Sequence, residues 1–191
     1  MAWKTTVLLL TLAFAAPVDT QERLSAPTVP ENLQVPPGHK VFLTTHASGT
    51  QNYVCMPSPA GVTWAFHGPQ ATLFNDEGEQ MLTHYLSPNP DEGNALRAAW
   101  RHSRDTSTVW AIAVASYAES DVVNDGAIPW LLLRVVGTEY GPTWGDKIAR
   151  TTFIQRVNTD GGSAPSGGCG TTADVGKRAM VPYTTQYVFY R

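Results

Sequence analysis

Apolar and polar residues alternate along this chain in short runs broken by Gly, Pro, Asn and Asp, and helical spacing is almost absent. A period near two marks strands, because successive side chains leave a strand on opposite faces. Residues 41–46 and 51–55 are β-prone runs around Ala47-Ser48-Gly49-Thr50, which predicts a hairpin. Residues 62–67 and 71–74 predict a second pair split by Gly68-Pro69, and Asn75-Asp76-Glu77-Gly78 turns the chain into residues 80–86. Turn residues crowd positions 87–94. Residues 95–101 suit a short helix or a strand, and the alternation of Leu96, Ala98 and Trp100 favours the strand. The most apolar runs are 109–117 and 128–136. In the latter, Trp130-Leu131-Leu132-Leu133 breaks the alternation, which predicts a strand buried on both faces. Trp130 and Leu132 would then pack on one side, Leu131 and Leu133 on the other. Residues 151–158 and 182–190 complete the set, joined through a Gly-rich loop over 159–168.

Short strands with frequent turns predict an all-β fold: one domain over residues 40–191, an antiparallel β-sandwich or barrel. Residues 16–39 contain Pro17, Pro27, Pro30, Pro36 and Pro37 and read as an extended, poorly paired lead-in. Composition agrees with this picture. The chain is 42% hydrophobic, enough for a core, and its 15% charged residues fall below the roughly 25% of an average domain. A formal net charge of −3 argues against a nucleic-acid partner. No apolar run reaches the roughly 18 residues of a transmembrane span.

The first residues change the picture. Lys4 precedes an apolar run centred on Val7, Leu8, Leu9, Leu10, Leu12 and Phe14, and Ala13-Phe14-Ala15 supplies the small residues of a cleavage site. Residues 1–15 are therefore expected to be a signal peptide, and the protein to be secreted and extracellular. In an oxidising compartment an even pair of cysteines favours a disulfide, here Cys55 to Cys169.

Several longer motifs recur together: Ala127-Ile128-Pro129-Trp130-Leu131-Leu132-Leu133-Arg134, Ile154-Gln155-Arg156-Val157-Asn158-Thr159 with Gly161-Gly162, and Val181-Pro182-Tyr183 with Tyr187-Val188-Phe189-Tyr190. With Tyr53-Val54-Cys55, Trp64, Thr83-His84 and Cys169, they resemble domain of unknown function 3455, a family of mostly secreted fungal and bacterial proteins. The resemblance implies no catalytic set. Members are sometimes labelled malate dehydrogenase, which this chain does not support: it has no Gly-x-Gly-x-x-Gly after a strand and no βαβ alternation.

Candidate chemistry is sparse. His46, His67, His84 and His102 form no tight ligand motif, so neither a metal nor another cofactor is expected. His84 beside Tyr85 is the single candidate for an acid or base. The carboxylates cluster at turns, and no nucleophile elbow is present. Trp144 lies in Tyr140-Gly141-Pro142-Thr143-Trp144-Gly145-Asp146, a turn-rich loop where a large aromatic is hard to bury. Tyr140 and Trp144 could offer a stacking surface to a sugar ring or another flat ligand. The leading expectation is a secreted β-domain that binds a carbohydrate, a small apolar ligand or a surface partner. The alternatives are a small secreted enzyme (hydrolase, lyase or cyclase) using His84 with a carboxylate, and a structural cell-wall or spore-coat protein.

Overall fold

A computed structural model describes Met1 and residues 24–191. The expected signal peptide and the first residues of the Pro-rich segment lie outside the described residues. Eight antiparallel strands follow one another around a closed barrel, each bonded to its sequence neighbours and the last to the first. They are β1 Val41–Ser58, β2 Gly61–Phe74, β3 Gln80–Asn89, β4 Ala95–His102, β5 Thr108–Tyr117, β6 Trp130–Glu139, β7 Phe153–Gly161 and β8 Arg178–Tyr190. Closure removes the exposed edges that an open sheet would leave. Of the two expected architectures, the barrel is the one adopted.

Two expected turns are absent. Ala47-Ser48-Gly49-Thr50 lies in the middle of β1, paired on both sides with β2 and β8. Gly49 is there for close approach: a Cβ on it would collide with the backbone of Gln70 and Ala71. Gly68-Pro69 likewise lies inside β2, where the register shifts against Asn52 and Tyr53 and Gly68 takes φ 140°. It marks a bulge that bends the barrel wall. The other expected strands are present, several of them longer than their apolar runs.

Alternate residues of every strand point inward. Leu73, Leu82, Trp100, Val109, Leu133, Ile154, Tyr187 and Phe189 form the interior core, and Ile148, from the loop after β6, packs into it. A second core lies outside the wall. There Trp130, Leu132, Val157, Val188 and Tyr190 on β6 to β8 are covered by Leu33, Val29 and Val35 of the Pro-rich segment. The Gln155 amide holds this cover in place by donating to the Leu33 carbonyl at 2.7 Å. The two-sided burial expected of β6 follows: Leu131 and Leu133 face the interior cluster, Trp130 and Leu132 the outer one. Residues 29–35 are thus part of the fold's packing, more than the lead-in their prolines suggest.

Cys55 on β1 is bonded to Cys169 in the loop between β7 and β8. Trp64 and Tyr53 tether the same loop by donating to the carbonyls of Gly167 at 3.0 Å and Gly162 at 2.7 Å.

Candidate functional site

A cavity of about 160 Å³ lies inside the barrel. The pairing explains its position. Leu86 lies opposite Ala98, Ala98 opposite Ala111, Ala113 opposite Leu133, Leu131 opposite Arg156, and Arg156 opposite Tyr187. These cross-strand neighbours ring the barrel at one level. Ala98, Ala111 and Ala113 supply three short side chains there, and so leave space that Leu or Phe would fill. The half-exposed Phe66 also lines it, at the end of the barrel where the disulfide lies.

One wall is aromatic. Trp100 is fully buried and stacks on His84, with ring centroids 4.2 Å apart, while Tyr187 meets both edge-on. The Nδ1 of His84 lies 2.9 Å from the Ala99 carbonyl and so carries its proton as the donor. Burial pushes the His84 pKa down to about 3, outweighing the Ala99 hydrogen bond, and Arg156 adds to the depression. At neutral pH this imidazole is uncharged.

The other wall is polar and short of partners. Arg156 donates through Nε and Nη2 to the Pro129 carbonyl at 3.1 and 2.7 Å. Among the described residues no carboxylate pairs with it. Around it the buried Tyr187 and Tyr183 hydroxyls and the Gln51 amide lie against one another, with Tyr187 also beside the guanidinium, and none of them makes a well-formed hydrogen bond. Burial raises the pKa of both tyrosines, the nearby Arg156 opposing it, so both hydroxyls keep their protons and can donate.

The expected site residues fall in two places. His84 lines the cavity, but no carboxylate does, so the acid or base role lacks its partner there. Tyr140 and Trp144 lie in the loop between β6 and β7, at the opposite end of the barrel. Trp144 is 85% exposed and Tyr140 49%, with ring centroids 6.4 Å apart and planes tilted by 57°, which makes two facets instead of one flat surface. Trp144 holds a left-handed φ of 62°. Its loop is tied down by Asp105, which accepts from the Lys147 amide at 2.9 Å and from the Ser107 hydroxyl at 2.8 Å. Gly141 and Gly145 press on Asp105 so closely that a Cβ on either would collide with it. The histidines do not converge: His46 pairs with Asp76 and His102 with Asp105, while His84 lies inside the barrel. No group of three or more potential metal-ligating side chains exists among the described residues.

Gln51, Arg156, Tyr183 and Tyr187 were not singled out from the sequence as site residues. One signal was there. Arg156 shares its strand face with Ile154 in an otherwise core-forming run, so closing the sheet was bound to turn a cation inward.

No helix among the described residues is long and apolar enough to cross a membrane. No curated protein and no solved structure matches the chain. A family model described as protein of unknown function, DUF3455, matches residues 36–191.

Proposed function

The chain belongs to the DUF3455 family, and on that footing we propose that it is a secreted, non-catalytic protein that binds a small, largely apolar molecule inside its barrel. The observation that carries this reading is the cavity beside Trp100, walled by Leu86, Leu131, Leu133 and three alanines, with a few polar groups at one side. Concave apolar sites with a small number of placed polar groups are where small ligands bind. A dry cavity of about 150 Å³ accepts a benzene-sized body. The leader-like run of residues 1–15 and the disulfide support export.

Titrating the protein with indole while following the fluorescence and ring resonances of Trp100 tests the reading. Saturable binding that is lost in Ala111→Leu, with the fold retained, is the expected result. Indole binding unaffected by that substitution would place the ligand elsewhere.

A second reading draws on Trp144. A large aromatic held in the left-handed region and left in water, on a loop fixed by Asp105, gains nothing from burial in the core. It suits a surface contact with a carbohydrate or a protein partner. A glycan panel screened against wild type and Trp144→Ala decides whether this end binds as well.

A further inference from the structure

Arg156 is the reason to go further. The half-buried Arg156 guanidinium faces the inside of the barrel and loses part of its hydration there, which an anion beside it would offset. Here the chain offers the Pro129 carbonyl and the nearby Tyr187 oxygen, both neutral acceptors, and no carboxylate among the described residues pairs with Arg156. The adjacent groups add donors. The buried Tyr187 and Tyr183 hydroxyls and the Gln51 amide lie against one another and against Arg156, but no well-formed hydrogen bond joins them. Several donors gathered around one cation, with no carboxylate lining the same cavity, point to an anionic acceptor from outside the chain. Water could accept from the hydroxyls, but it would leave the positive charge of Arg156 uncompensated.

We infer that the interior ligand is a small monocarboxylate, with its carboxylate on Arg156 and Tyr187 and a single ring or short branched chain against Trp100, His84 and Leu131. This rests on the interior being the binding site. Guanidinium and carboxylate match as a bidentate pair, and a hydroxyl beside them adds a charge-assisted hydrogen bond. The same carboxylate would lie beside a neutral His84, so no second cation competes for it. Room for about one ring excludes long fatty acids and sugars larger than a monosaccharide.

Benzoate and its neutral isostere benzamide separate the two ideas when titrated into the full mature protein at pH 7 by calorimetry. Benzoate is expected to bind at least about tenfold more tightly, a difference of roughly one hydrogen-bonded charge pair. Arg156→Met should abolish the preference while changing benzamide affinity by less than about threefold, and Tyr187→Phe should weaken benzoate several-fold. Tyr187→Phe also serves if Arg156→Met does not fold, since it removes only a hydroxyl. Equal affinities for benzoate and benzamide would overturn the carboxylate inference and leave the interior site standing. Binding of neither would overturn both, and a benzoate preference that survives Arg156→Met or Tyr187→Phe would overturn the assigned partners.

Discussion

The imidazole of His84 lies flat on the indole of Trp100, with their planes 11° apart inside the barrel. Burial, helped by the nearby Arg156, keeps the ring neutral, and this has a consequence for acid stability. The folded pKa of about 3 lies below the ordinary value of 6.5, so the unfolded chain takes up this proton first as pH falls. Stability from this group is full above pH 6.5 and declines between 6.5 and 3, by up to about 1.4 kcal/mol per pH unit. Denaturant unfolding of wild type and His84→Phe at pH 7, 6, 5 and 4 measures the slope. The variant should lose stability less steeply on acidification, and parallel slopes would refute the role.

Trp144 should be dispensable for folding. It is almost wholly in water, and φ 62° costs a non-glycine residue about 1–3 kcal/mol. Trp144→Gly relieves that strain, and thermal unfolding should show an unchanged or higher melting temperature. Gly145→Ala in the same loop should lower it, because the new methyl meets Asp105. A Trp144→Gly protein that melts much earlier would mean the indole supports the end of the barrel.

Leu33 is fully buried in the outer core although it comes from the Pro-rich segment. Leu33→Ala should destabilise the protein by about 2–5 kcal/mol, as deeply buried leucines do. A change below about 0.5 kcal/mol, the size of an ordinary surface substitution, would show that the segment does not hold the barrel wall.

The disulfide joins positions 114 residues apart. In the chain-entropy model, closing a loop of that length contributes about 4–5 kcal/mol through the unfolded state. A Cys55→Ser, Cys169→Ser double variant should therefore have a clearly lower midpoint in guanidinium chloride and a steeper denaturant slope, because its unfolded chain is less compact and exposes more surface. Under mild denaturation its loop over residues 162–177 should be cut by protease before the barrel strands are.

The amino-acid sequence by itself determined the all-β class, the disulfide pair, and the two-sided burial of β6. Each of these rests on local information: a period of two, an even cysteine count, an apolar run without polar breaks. Glycine was read less well. Gly49 and Gly68 look like turn residues along the chain, yet both lie in long strands, because glycine serves close packing and bulges as readily as reversals. Only the tertiary structure decided between sandwich and barrel, since hydrogen bonding of β8 to β1 joins residues at opposite ends of the domain. The cavity belongs to the same level. Ala98, Ala111 and Ala113 come from two strands, and Arg156 and Tyr187 from two others. Closure of the sheet sets them around one space and turns a cation inward where no carboxylate among the described residues pairs with it.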